Sequence, residues 1–290
     1  MTNMTKMTPS AVCPRTGGDP SSLVHDRPSA RTHGSPLSRG HTGVWVGLAL
    51  AAALLLFGGV PAFAADTQVA VAANFTAPAK EIAAAFTAKT GHHAILSFGS
   101  SGQFYTQISH GAPFEVFLSA DPDRPKKAEQ DGLAVPGTRF SYAIGRLVLW
   151  SATPGLVDDR GAVLSGNGFN KLSIADPAVA PYGVAAVQTL HKLGVYDRVQ
   201  SKLVKGTSIT QAYDFVRTGA AEIGFVAYSQ VINDKSGSQW LVPTSFHAPI
   251  DQQAVLLWTG DKNPAARAFI KFLKGPEAKA IIKRYGYEVR

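Results

Sequence analysis

The sequence predicts an α/β fold built as two lobes joined by two crossover segments. Three observations lead there. Short apolar runs that read as strands alternate with amphipathic stretches that read as helices, the pattern of sheets flanked by helices. No repeat of fixed period is present. A length of 290 residues suffices for one large domain or two modest ones, and a cleft between two lobes is a natural place for a ligand.

The elements follow in order. Gln68–Ala72 is the first expected strand. The loop Ala73-Asn74-Phe75-Thr76-Ala77 leads into a helix from about Pro78 to Lys89, with Ile82, Ala85 and Phe86 on its apolar face and Gly91 as its stop. Ala94–Phe98 is a second strand, and Gly99-Ser100-Ser101-Gly102 turns into a helix over Gln103–Ser109. Phe114–Leu118, Leu147–Trp150 and Leu172–Ala175 are further strands. Helices are expected from about Gly183 to Leu193, and from the cap Thr207-Ser208 through Val216. Ile223–Ala227 and Ala254–Trp258 are late strands, and two helices near Pro264–Leu273 and Pro276–Tyr285 close the chain. The crossovers are placed near Tyr142–Gly145 and Ala248–Asp251. Lobe 1 is then residues 66–144 plus 251–290, and lobe 2 is residues 145–250.

The first 64 residues have a different character. Residues 1–43 are rich in Ser, Thr, Pro, Gly and Arg, too poor in apolar surface to order themselves. An uncharged apolar run, Val44–Phe57, is broken by Gly58-Gly59 and followed by Pro61-Ala62-Phe63-Ala64. A basic flank, an apolar core and an A-x-A site make a secretory signal peptide cleaved after Ala64. The run falls short of the ~20 residues a spanning helix needs. Met4 and Met7 are alternative starts that would shorten the leader. The only cysteine, Cys13, lies upstream of the cleavage point, so disulfides and thiolate metal sites are excluded from the mature chain. No cysteine is available at the cleavage site for a lipid anchor. The expected location is the periplasm.

From Ala65 onward the chain carries 23 Lys+Arg and 18 Asp+Glu, a net charge of +5. The basic residues are scattered and form no stripe interleaved with aromatics, which disfavours nucleic acid as a partner. A mild positive field assists anion capture, though a solvated basic surface has the same composition.

Four loops share one feature. Ala73-Asn74-Phe75-Thr76, Gly99-Ser100-Ser101-Gly102, Pro181-Tyr182-Gly183 and Gly206-Thr207-Ser208-Ile209 each lead into a helix start with small or hydroxyl residues. Helix N-termini present unpaired N–H groups and a partial positive charge. Any one of these loops is an ordinary N-cap; several aimed at one cleft make an anion site without a charged side chain.

The runs Val71-Ala72-Ala73-Asn74-Phe75-Thr76, Phe98-Gly99-Ser100-Ser101-Gly102 and Gly111–Asp121 resemble the periplasmic molybdate-binding proteins, as do Asp176-Pro177…Pro181-Tyr182-Gly183 and Glu222–Val226. The similarity runs in order from about residue 67 to the C-terminus. It implies the two-lobed periplasmic-binding-protein fold (type II) with its ligand cleft between lobes. It also implies an oxyanion held by neutral donors and no catalysis or cofactor. By local alignment the resemblance carries Asn74 (amide and backbone N–H), the Ser101 hydroxyl and the backbone N–H groups of Tyr182 and Ile209 onto molybdate or tungstate. Ala73, Ser100 and Tyr228 are further candidates. Relatives often place a tyrosine phenol where Ala227 stands here; Tyr228 is the next residue, and strand alternation turns it away. The implied partner is the membrane permease of an ABC importer, and the implied state is a monomer. Sulfate or another tetrahedral oxyanion is the alternative cargo, and a sensory module that passes its ligand to a receptor is an alternative role.

Other candidates are weaker. His92 and His93 are adjacent in a strand and face opposite sides. Asp121 and Asp123 read as turn and helix-capping chemistry. Ser101 as the nucleophile of a hydrolase lacks the G-x-S-x-G elbow, and nothing in the sequence brings a base such as His247 to it. Phe104 and Tyr105 read as core.

Overall fold

The computed structural model describes residues 64–289. The leader, the apolar run and Cys13 lie outside the described residues. Two five-stranded mixed sheets organise the chain, each flanked by helices.

The first sheet has the order β2-β1-β3-β10-β4. Its strands are β1 (Asp66–Ala72), β2 (His93–Gly99), β3 (Val116–Leu118), β4 (Phe140–Gly145) and β10 (Ile250–Leu256). The pairs β1–β2 and β1–β3 are parallel, and β10 runs antiparallel to both β3 and β4. Alternation along β1 sends Val69 and Val71 into one core and Ala70 into the other. On the first face, α1 (Thr76–Thr90) lays Ala79, Ile82 and Phe86 against α6 (Pro264–Leu273) and α7 (Pro276–Arg284). Gly91, at φ 74°, ends α1 in the left-handed conformation that glycine adopts without strain. The opposite face is covered by α2 (Ser101–Ser109) and α3 (Asp123–Gln130).

The second sheet has the order β7-β6-β8-β5-β9. It contains β5 (Leu147–Ser151), β6 (Leu172–Ala175), β7 (Leu203–Gly206), β8 (Ile223–Ala227) and β9 (Ser238–Leu241). Strand β6 is parallel to β7 and β8, while β5 is antiparallel to β8 and β9. Helices α4 (Pro181–Lys192) and α5 (Ile209–Arg217) pack on it. The chain leaves the first sheet at Gly145 and returns at Ile250, and these two residues are paired in the ladder between β4 and β10. The crossovers therefore run side by side.

Three differences from the sequence reading have physical reasons. Strands β4, β7 and β9 were not expected: the end of β4 was read as a crossover, and Leu203-Val204-Lys205-Gly206 and Ser238-Gln239-Trp240-Leu241 are short edge strands with little apolar alternation. The last strand is earlier than expected: it ends at Leu256, and Trp258 starts a 3₁₀ turn with half its surface exposed. Helices α2 and α4 begin two residues earlier than their apolar stripes suggested, since first-turn residues face the cleft rather than the core.

Candidate functional site

Four helix starts, two from each lobe, converge on one small cavity of about 10 Å³. Its lining is Ala72, Ala73, Asn74, Gly99, Ser100, Ser101, Ala120, Ala180, Pro181, Tyr182 and Ile209. That volume, about one water-sized sphere, is far below the roughly 300–1,000 Å³ of organic-ligand pockets. No Lys, Arg, His, Asp or Glu is in the lining.

Each junction has a local cause. Strand β1 runs into a single 3₁₀ turn, Ala73–Phe75, before α1. Ser100 is extended, at φ −77° and ψ 149°, and turns β2 into α2. Pro181 occupies the first position of α4, where its fixed φ suits a helix and its missing N–H costs nothing. Ser208 caps α5 and accepts the N–H of Gln211 at 3.3 Å. The first-turn amides of Ser101, Tyr182 and Ile209 have no carbonyl four residues back within their helices, and each helix adds positive potential at that end.

The hydroxyls differ in their bonding. Ser101 is buried, and its Oγ accepts the backbone N–H of Ala120 at 2.9 Å. Ser100 is also buried, and its Oγ has no partner. Asn74 departs from the sequence reading. Its Nδ2 donates to Gln252 Oε1 at 2.8 Å and to Tyr287 Oη at 3.0 Å. Both amide hydrogens are thereby used, which leaves the backbone N–H as its donor toward the cavity. Tyr228 is not in the lining; it starts the turn after β8, packs beside Val148 and Trp150, and lies where a side chain at Gly286 would be.

Behind the cavity lies a buried polar shell that the sequence did not disclose. Tyr142 donates to Gln252 Oε1 at 3.1 Å. Tyr287 donates to the carbonyl of Asn74 at 2.7 Å, and Ser229 Oγ donates to the same carbonyl at 2.9 Å. Burial pushes the phenols of Tyr142 and Tyr182 well above their usual range and that of Tyr287 up to about 12, so all three remain neutral. The only signal for this shell in the sequence is the polar pair Gln252-Gln253 ahead of the apolar run Ala254–Leu257.

The lobes touch on both sides of the cavity. Gly102 N–H donates to Val179 O at 2.9 Å, and Ser229 meets Asn74 as above. Beside the cavity, Asp121 accepts the N–H of Arg124 at 2.9 Å and pairs with its guanidinium, at the start of α3. His92 Nδ1 accepts the N–H of Ala65, and His247 sits in a separate cavity at the crossover.

The family model for the bacterial extracellular solute-binding proteins matches residues 67–288. The chain belongs to that family. Among relatives of this solute-binding protein is the molybdate-binding protein ModA of Rhodobacter capsulatus, 59% identical over 82% of this chain and 94% of its own. ModA of Azotobacter vinelandii is 59% identical over 77% of this chain and 90% of its own. A solved periplasmic molybdate-binding protein of Azotobacter vinelandii superposes on the solute-binding protein with a TM-score of 0.75 at 44% identity, covering 77% of this chain and 99% of that one. The sulfate-binding protein SubI of Mycobacterium tuberculosis shares the fold, with a TM-score of 0.66 at 15% identity.

Proposed function

We propose that this protein is the periplasmic substrate-binding component of an ABC importer and carries molybdate, with tungstate as a near-equivalent cargo. The observation that carries the reading is the cavity itself: small, uncharged and ringed by helix N-termini from both lobes. The molybdate-binding relatives at 59% identity support the choice of oxyanion.

In this reading the donors are the backbone N–H groups of Asn74, Ser101, Tyr182 and Ile209 and the hydroxyl of Ser101, with Ala73 and Ser100 beside them. Lobe 1 is residues 66–144 plus 251–290 and lobe 2 is residues 145–250, so a ligand between them favours closure. A membrane permease reads the closed form. The protein reaches the periplasm through a signal peptide cleaved after Ala64 and works there as a monomer. Calorimetric titration with molybdate, tungstate, sulfate and phosphate tests the assignment. Tight molybdate binding at one site per chain supports it; heat only with sulfate or phosphate would replace molybdate as the cargo.

A further inference from the structure

We infer that the Tyr182 phenol and the Gln252 side-chain amide form a latch between the lobes, which holds the cavity's donors in their closed positions. The inference rests on the reading that an oxyanion bridges the lobes, and it concerns side-chain groups other than the donors assigned to that ion.

Tyr182 belongs to α4 in the second lobe, and its ring is almost wholly buried. Gln252 lies on β10, one of the two crossover strands, and is fully buried. Tyr182 Oη and Gln252 Nε2 are both buried and make no hydrogen bond of ordinary geometry, although the Tyr287 phenol and the Asn74 amide lie near the Tyr182 hydroxyl. They border the same notch. A side-chain carbon at Gly145 would fall 2.2 Å from Tyr182 Oη and 2.9 Å from Gln252 Nε2. The amide is oriented by its other end, since Oε1 accepts from Asn74 Nδ2 and from Tyr142 Oη. Its Nε2 is therefore a donor facing a phenol oxygen that can accept it. Leaving both unpaired in a buried interior is costly, and the proposed latch pairs them.

The phenol can enter this notch only because residue 145, paired with Ile250 where the crossovers run side by side, has no side chain. One residue thus offers its backbone N–H to the cavity and its hydroxyl to the hinge. The latch also reaches Asn74 through Gln252, so it couples a donor of the first lobe to one of the second. Tyr182 and Gln252 act as positioning residues: separation of the lobes withdraws the phenol, and release of ligand must break the contact.

The test measures association and dissociation of radiolabelled molybdate with wild type, Tyr182→Phe, Gln252→Met, the double variant and Gly145→Ala. Tyr182→Phe removes one oxygen and keeps the ring. Its dissociation should be about three- to tenfold faster, with association within roughly twofold of wild type. Gly145→Ala, which fills the notch, should release ligand at least as fast. The double variant should behave like Gln252→Met alone, because a broken latch cannot be broken twice. Unchanged dissociation in Tyr182→Phe, or strictly additive effects in the double variant, would overturn the latch. So would an equal fall in the melting temperatures of the free and ligand-bound forms of Tyr182→Phe, which would assign the hydroxyl to folding alone. A wild type that never binds molybdate would instead sink the cargo assignment, and the same rates are then taken with sulfate.

Discussion

Ser101 Oγ accepts the backbone N–H of Ala120 at 2.9 Å, which leaves the single proton of the hydroxyl for the cavity that both residues line. A hydrogen bond from that proton to an anion contributes about 1.5–3 kcal/mol. Ser101→Ala should therefore weaken molybdate about tenfold to a hundredfold. It should also cost stability of about 1–3 kcal/mol, because Ala120 N–H loses its acceptor. Ser100→Ala is the comparison: its Oγ has no partner within the protein, so stability should hardly change. Calorimetry and thermal melts of both variants check this. Equal affinities for wild type and Ser101→Ala would remove the hydroxyl from the site.

Ligand choice follows from the uncharged lining. Hydrogen-bond donors suit a fully deprotonated dianion, whereas phosphate at neutral pH keeps a proton that needs an acceptor. An unmet donor costs about 1–3 kcal/mol. Molybdate and tungstate should raise the melting temperature most, sulfate less and phosphate least. Phosphate stabilisation equal to that of molybdate would contradict a donor-only site.

Closure can be blocked at Gly102. A side-chain carbon there would lie 2.9 Å from both the Cα and the carbonyl oxygen of Val179 in the opposite lobe, and backbone atoms cannot swing aside. Gly102→Ala should leave the ligand-free protein folded and reduce molybdate affinity at least tenfold, beyond a single lost hydrogen bond. Small-angle scattering at saturating molybdate should show wild type contracting and Gly102→Ala remaining larger. Identical curves for the two would show that the lobes need not meet at Val179.

Stability should decline at both ends of the pH range. Folding keeps Tyr287 protonated up to about 12 against an ordinary value of 10.0, so its contribution is complete below pH 10.0 and is lost as pH rises toward 12. The buried phenols of Tyr142 and Tyr182 act in the same direction. At the acid end, burial and, secondarily, Arg146 hold the His247 imidazole below its usual 6.5. The folded state then prefers the neutral ring, and stability falls as pH drops below 6.5. Denaturant titrations from pH 5 to pH 11 should show both slopes. His247→Gln should flatten the acid one, and an unchanged acid slope in that variant would place its origin elsewhere.

The candidate site was legible in the sequence where its chemistry is local. Ser101, Tyr182 and Ile209 sit in the first turns of helices, and helix starts are marked by the residues beside them. The polar shell was not legible, because Asn74 reaches Gln252 and Tyr287 across 178 and 213 residues of chain. Neither partner belongs to a recognisable local pattern, and the use of both Asn74 amide hydrogens could only be read in three dimensions. The fold behaved likewise. Strongly apolar strands such as β6 and β8 matched the expected bounds residue for residue. The edge strands β7 and β9 owe their existence to neighbours rather than to their own composition.

The absence of any acid or base from the cavity lining has a consequence for unloading. A cargo balanced by a lysine or a carboxylic acid can be discharged by moving a proton. Here the cradle has no such handle at physiological pH. Delivery would then be mechanical: parting the lobes would replace each protein donor with a water molecule, and the ion would leave with its charge unaltered. The handover would be indifferent to the acidity of the medium around it, and whatever pulls the lobes apart sets its pace.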